Sequence, residues 1–212
     1  MKELNTTQFK TAAFLTLILG VSIFVLNYFI GTNNFFLLLN TNLGIAADYF
    51  FHYYTYLGDG IFWIPVVLLV YFYKREYLIL IIAAIIFSTV FTHIFKDWLM
   101  QGEPRPTKAI ADLSLIHIVK GVELHSVDSF PSGHSTTAFC FYLLACLFFN
   151  KKWIVAAGLI LALLVGYSRI YLAQHFPRDV AGGMIVAVIS IIFSIETQQW
   201  WASRNATQTK KV

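Results

Sequence analysis

The sequence is short of charge: only 12% of its 212 residues are charged, whereas 58% are hydrophobic. Its mean hydropathy is +0.69, too high for a domain of this size to cover its surface with polar groups. The scarcity of charge therefore excludes a water-soluble globular protein and indicates an integral membrane protein.

Cysteine is scarce as well, with Cys140 and Cys146 in one apolar run. In a helix, six residues rise by about 9 Å, which is too far for a disulfide. No spacing of cysteine with histidine typical of a metal site occurs. The sequence therefore predicts two small core side chains, no metal site and no cofactor.

What the sequence has instead is a series of long apolar runs. A run of about 20 residues is enough to cross a hydrocarbon core of about 30 Å. The first run is long for a signal peptide and no cleavage-site pattern follows it, so it is predicted to be retained. Six transmembrane helices are predicted, at about residues 11–30, 54–73, 77–95, 135–149, 153–173 and 177–195.

The remaining segments complete an all-α, polytopic membrane protein that forms one domain over residues 1–212. Residues 31–53 mix asparagine with phenylalanine and leucine, and are expected to form one or two short helices at the membrane interface. Residues 96–134 form the longest polar stretch. Because such long loops are usually functional or disordered, this region is the expected catalytic loop, with short helices of its own.

The lysines and arginines are divided unequally between the two sides of a six-span bundle. Nine lie on the side of both termini: Lys2, Lys10, Lys74, Arg75, Lys151, Lys152, Arg204, Lys210 and Lys211. By the positive-inside rule, both termini are cytoplasmic. The other six lie on the outer side: Lys96, Arg105, Lys108, Lys120, Arg169 and Arg178. Cations kept there are most simply explained by an anionic ligand.

Three of the outer residues that carry chemistry fall within one stretch of twelve, namely Arg169, His175 and Asp179. Charges beside a bilayer segment are costly unless they are paired, so they indicate function. A carboxylate four residues after a histidine can fix its tautomer and leave the other nitrogen basic. Pro177 suits the first position of a helix, which would place Asp179 in the first turn. The alternative is a helix-end ion pair beside a solvated histidine.

A second pattern, Pro131-Ser132-Gly133-His134, precedes the fourth apolar run and is typical of a helix start. Free backbone N–H groups at such a start form an anion site, and Ser132 and Gly133 permit close approach.

Four consecutive outer span ends carry these groups, and they can converge on one pocket of three cations, two histidines and a helix N-terminus. Such a pocket suits a phosphate and its trigonal-bipyramidal transition state. Its members are Lys96, Arg105, Ser132, Gly133, His134, Arg169, His175 and Asp179.

These residues resemble the three signature motifs of the type 2 phosphatidic acid phosphatase (PAP2) family, within the vanadium haloperoxidase-like superfamily. The second and third motifs match fully. In the first, eight residues separate Lys96 from Arg105, whereas the family spacing is Lys-x6-Arg-Pro, so a two-residue insert beside Glu103 is expected to bulge out. The resemblance covers roughly residues 54–195 and implies six spans, no metal and a phosphohistidine intermediate.

Carried over to this sequence, the resemblance makes His175 the nucleophile, Asp179 its orienting carboxylate and His134 the acid that protonates the leaving oxygen. The remaining members are expected to bind phosphate oxygens: Lys96, Arg105, Ser132, Gly133 and Arg169. The residue pattern agrees, because His134 has no carboxylate at a fixed short spacing whereas His175 does.

The expected protein is thus a metal-independent lipid phosphatase in the cytoplasmic membrane, with its active site on the extracytoplasmic side. Its expected partners are the bilayer and a lipid phosphate; neither nucleic acid nor an obligate protein partner is implied. Candidate substrates are undecaprenyl diphosphate, a lipid A phosphate, phosphatidylglycerol phosphate and phosphatidic acid. The alternatives are a lipid phosphotransferase that uses the same site and a non-catalytic lipid-phosphate binder or carrier.

Overall fold

The computed structural model describes residues 4–209, and side chains up to residue 205. Over this range the chain is helical and contains no β-strand, as predicted. Lys2, Lys210 and Lys211, which entered the charge count, lie outside the described residues.

The described chain forms nine α-helices joined by short 3₁₀ turns and one π-helical segment, Ile94–Leu99. The helices are α1 (Thr6–Ile30), α2 (Thr32–Leu39), α3 (Ile45–Tyr54), α4 (Trp63–Tyr73), α5 (Leu78–His93), α6 (Pro106–Ala109), α7 (Gly133–Phe148), α8 (Lys152–Tyr171) and α9 (Pro177–Thr209). Pro177 begins α9 and Asp179 lies in its first turn, which confirms the predicted helix start.

Four helical stretches are long and apolar enough to cross a membrane: Thr6–Ile30, Arg75–Leu99, Lys152–Tyr171 and Pro177–Asn205. A fifth is possible as a bent pair, Ile45–Gly58 with Gly60–Tyr73, whose halves meet at 53°. The bend lies at Asp59, whose carboxylate accepts from the Ile61 N–H at 2.9 Å. Helix α7 is shorter, with 16 residues.

Segment 31–53 contains two short helices, α2 and α3, as its composition predicts. Asn40 follows α2 and is 3% exposed. Its side-chain amide donates to the carbonyls of Ile170 at 3.0 Å and Tyr171 at 2.9 Å. Asn40 therefore caps the end of α8, where helix carbonyls have no partner of their own, and holds the backbone beside Arg169.

The first turns of α7 pack closely against α9 because α9 has a glycine, Gly183, at the contact. A Cβ added to Gly183 would stand 2.6 Å from the Ser132 carbonyl oxygen and 2.9 Å from the Ser135 Cβ. On the other side of α7, a Cβ on Gly58 would stand 2.7 Å from the His134 carbonyl oxygen. The two glycines thus let the start of α7 sit between α9 and the turn before α4.

Candidate active site

The turn between α8 and α9 folds back onto Arg169. The backbone N–H groups of Gln174 and His175 both donate to the Arg169 carbonyl, at 2.9 and 3.1 Å. Because two donors share one oxygen, the chain reverses within a few residues. The side chains of Arg169 and His175 are thereby brought into the protein interior, where they are 7% and 2% exposed.

Asp179 is fully buried and held by two donors at one oxygen. Its Oδ2 accepts from the Ser129 hydroxyl at 2.5 Å and from the Phe176 N–H at 2.8 Å. The same oxygen lies 3.5 Å from Nδ1 of His175. A carboxylate facing Nδ1 favours the tautomer with its proton there, which leaves the lone pair on Nε2.

Nε2 of His175 faces Arg105, whose Nη1 lies 3.5 Å away. Three backbone carbonyls fix this guanidinium: Nε donates to Val127 at 2.9 Å, Nη1 to Gln174 at 3.0 Å and Nη2 to Asp128 at 3.5 Å. Burial, and then the nearby charges of Arg105, Arg169 and Lys96, hold the pKa of His175 well below its usual value. His175 is therefore a neutral imidazole at neutral pH, as a nucleophile requires.

Lys96 reaches the same place from the π-helical segment. Its Nζ donates to the Asp128 carbonyl at 2.9 Å, the oxygen that Arg105 also contacts. The π turn that carries Lys96 is closed by the Met100 N–H, which donates to the Phe95 carbonyl at 2.7 Å.

Further along the same segment, Oε2 of Glu103 accepts from Nη2 of Arg178 at 2.6 Å. The backbone carbonyl of Glu103 accepts from the Ser129 N–H at 3.2 Å. Glu103 is thus tied to both neighbouring segments of the site, and the side chains of Lys96 and Arg105 both reach the Asp128 carbonyl.

At the start of α7, the Ser132 hydroxyl accepts from the Ser135 N–H at 3.3 Å and caps the helix. The Ser132 N–H itself donates to the Asp179 carbonyl at 2.9 Å, so it is not the free donor that the sequence predicts. The first-turn N–H groups of Gly133 and His134 remain for an anion. An added Cβ at Gly133 would meet no atom within 4 Å, which leaves room beside these donors.

Arg169 completes a group of three cations with Lys96 and Arg105. Its Nη1 donates to the Thr55 hydroxyl at 2.7 Å. Its Nε is buried and has no hydrogen-bond partner among the residues that the structure describes. Buried donors are nearly always satisfied, so this N–H indicates an anion site.

All eight predicted site residues thus surround one region of the bundle. Sequence reasoning missed Ser129 and Thr55, although Ser129 lies only two residues before Pro131 of the second motif. Another histidine of the loop between α6 and α7, His117, lies outside this group, with Nε2 at 2.9 Å from an oxygen of Asp48. Within residues 4–205, no three His, Cys, Asp or Glu side chains are grouped so that they could hold a metal ion.

Ser129→Ala should lower kcat about tenfold, because a hydrogen bond to a charged group is worth about 1.5–3 kcal/mol and Asp179 loses one of its two donors. Steady-state phosphate release measures the effect, and Ser129→Thr should restore most of it. Ser114→Ala is the matched control, since its hydroxyl also donates to a carboxylate, Asp112, but in an exposed loop. Equal rates in both alanine variants would contradict the role of Ser129.

The sequence profile of the PAP2 superfamily matches residues 77–203. Phosphatidylglycerophosphatase B of Bacillus subtilis is 29% identical over 151 residues, 64% of this chain and 67% of that protein. Undecaprenyl-diphosphatase BcrC of the same organism is 40% identical over 94 residues, 43% of each chain. The crystal structure of Aquifex aeolicus LpxE has a TM-score of 0.66 and 30% identity, and the match covers 76% of this chain and 92% of that one.

Proposed function

Because this chain belongs to the PAP2 superfamily, we propose that it hydrolyses a phosphate group from a membrane lipid through a phosphohistidine on His175. One observation carries the proposal. The two nitrogens of His175 face opposite charges, with Nδ1 at 3.5 Å from Asp179 and Nε2 at 3.5 Å from Arg105. A nucleophile needs this polarity, whereas a protein that only binds phosphate needs cations alone.

In the first step, the Nε2 lone pair attacks phosphorus and the bond from phosphorus to the leaving oxygen breaks. The negative charge of the bound phosphate favours a protonated His134, and His134 gives that proton to the leaving oxygen. Lys96, Arg105 and Arg169 stabilise the charge on the equatorial oxygens, together with the first N–H groups of α7. In the second step, water gives a proton to His134 and attacks phosphorus, which releases inorganic phosphate and restores His175.

The proposed bundle has six spans, with the bent pair Ile45–Tyr73 as the second and α7 as the fourth. A helix of 16 residues is about 24 Å long, somewhat short of a core of about 30 Å. A bundle in which the catalytic end of α7 lies slightly below the outer surface would account for this length. Both termini are then cytoplasmic and the site faces outward.

The substrate is a lipid phosphate or diphosphate with its phosphorus at the outer membrane face. The residues around His175 are suited to phosphate oxygens and do not distinguish one lipid from another. The two Bacillus relatives are named for different lipids, phosphatidylglycerol phosphate and undecaprenyl diphosphate. The candidate substrates are therefore these two lipids, a lipid A phosphate and phosphatidic acid.

The purified protein, assayed in detergent against these four lipids, should release phosphate in excess EDTA. The site has three cations, and the carboxylate beside His175, on Asp179, is already engaged by two donors, so a divalent cation has no oxygen cage. Vanadate should inhibit because it adopts the pentacoordinate geometry of the transition state. Activity lost on chelation and restored by a divalent cation would contradict the proposed mechanism.

The proposed orientation is tested separately by cysteine labelling from outside intact spheroplasts, in a variant lacking Cys140 and Cys146. A cysteine in place of Ser114, in the exposed loop before α7, should react with a membrane-impermeant maleimide. A cysteine in place of Arg75, between α4 and α5, should react only after lysis. The reverse pattern would overturn the positive-inside assignment.

A further inference from the structure

A cavity of about 250 Å³ opens at His134, between the end of α5, the turn before α4 and the start of α7. Five hydroxyl side chains line it, three from α5 and two from α7: Ser88, Thr89, Thr92, Thr136 and Thr137. None of them belongs to the catalytic group described above. The cavity is therefore a polar, hydroxyl-lined space next to the catalytic site, and His134 borders both.

The proposed function fixes what should occupy this cavity. In an in-line displacement the leaving oxygen stands opposite the nucleophile, and the group that protonates it must be within hydrogen-bond reach. His134 is that group, so the leaving group lies beside His134. We propose that the cavity binds the hydroxyl-bearing head of the leaving alcohol, a glycerol or a sugar; this inference rests on the proposed function.

The hydrogen-bonding state of the lining supports a neutral, hydroxylated ligand. The Ser88 hydroxyl donates to the Ile85 carbonyl at 3.1 Å, and the Thr136 hydroxyl donates to the Ser132 carbonyl at 3.1 Å. The hydroxyls of three other lining residues have no hydrogen-bond partner within the described part of the chain: Thr89, Thr92 and Thr137. Each can donate and accept at once, which matches the needs of an alcohol.

Charge argues against a second phosphate in the same place. The residues that line the cavity, all in the described region, include no lysine and no arginine. His93, at the rim, already lies 2.9 Å from a carboxylate oxygen of Asp97. A partly buried phosphate without a cation would bear an uncompensated desolvation cost. The preferred substrate is therefore a phosphate monoester of a hydroxylated lipid, and lipid diphosphates are turned over less efficiently.

The experiment compares two substrates that differ by one hydroxyl: a lysophosphatidic acid with its free 2-hydroxyl, and the 2-deoxy analogue. The wild-type protein should show a kcat/KM about tenfold higher for the hydroxylated ester, as expected when about two neutral hydrogen bonds are made. In the double variant Thr89→Val/Thr92→Val, which keeps the side-chain shape, the ratio should fall to about one. Thr11→Val on α1, an exposed threonine bonded to its own helix, should keep the wild-type ratio.

The outcomes separate this inference from the function on which it rests. A wild-type ratio near one, or a higher kcat/KM for undecaprenyl diphosphate than for phosphatidylglycerol phosphate, overturns the hydroxyl-binding cavity while phosphate release still stands. An unchanged ratio in the double valine variant also overturns the hydroxyl-binding cavity, because two of its three unpartnered hydroxyls are then absent. If no lipid in the panel releases phosphate, the proposed function itself fails and this inference fails with it.

Discussion

His175→Asn should lower kcat by at least about 10⁴-fold, as removal of a catalytic nucleophile does in other enzymes, while the protein still folds. Asparagine retains a polar group near Asp179 but has no nitrogen lone pair that can attack phosphorus. His175 is 2% exposed, so an amide of smaller volume is tolerated better than a charged or larger side chain. Phosphate release from a detergent-solubilised lipid phosphate measures the loss, and size-exclusion chromatography checks the fold.

The matched control is His125→Asn. His125 lies in the loop between α6 and α7 and is exposed, so this exchange removes an imidazole without touching the site. It should retain wild-type turnover. Residual activity in His175→Asn within tenfold of the control would refute the assignment of His175 as nucleophile.

Arg105→Lys should lower kcat/KM about 100-fold. A charge-assisted contact to a phosphoryl oxygen is worth about 1.5–3 kcal/mol, or roughly 10- to 150-fold in rate. The guanidinium of Arg105 is oriented through all three of its nitrogens by backbone carbonyls. An ammonium group cannot reproduce that planar fork, so charge is retained but its placement is lost.

Lys96→Ala should lose at least about tenfold by the same reasoning, because its Nζ shares the Asp128 carbonyl with Arg105. Lys108→Ala is the control for both variants, since Lys108 is exposed on α6 and should be neutral. If Lys96→Ala keeps wild-type activity while Lys108→Ala loses most of it, the assignment of Lys96 is refuted.

Hydropathy located the long apolar segments because the bilayer requires them, but several of the helices extend beyond these segments. Helix α1 begins at Thr6 rather than near residue 11, since Asn5 caps it by accepting from the Gln8 N–H at 3.1 Å. Helix α9 continues to Thr209, beyond the predicted end at 195, because nothing in its polar continuation breaks a helix. Helix ends are decided by capping and helix-breaking residues, and average hydropathy does not detect these.

The contact between His175 and Asp179 is predictable from their spacing in the sequence. His175 and Asp179 are four residues apart around a helix start that Pro177 marks, so sequence alone places one next to the other. Ser129 and Thr55 were not predictable in the same way. Each meets its charged partner across the fold, at sequence separations of 50 and 114 residues, and no local pattern encodes such contacts.

The first motif shows a third case, in which spacing alone misleads. Eight residues between Lys96 and Arg105 exceed the family spacing, yet both side chains contact the carbonyl of Asp128. A π turn at Ile94–Leu99 carries Lys96. A π turn has no sequence signature, since it depends on which residues tertiary contacts hold in place.

The most direct test of the account is the covalent intermediate itself. The wild-type protein is mixed with a lipid phosphate labelled with ³²P at its terminal phosphate, quenched in alkali within the first turnover and digested for mass spectrometry. We expect a base-stable, acid-labile phosphate on His175, approaching one per chain, and no label on His175→Asn. Phosphate release at the full rate without any labelled chain, or a label on His134 instead, would contradict it.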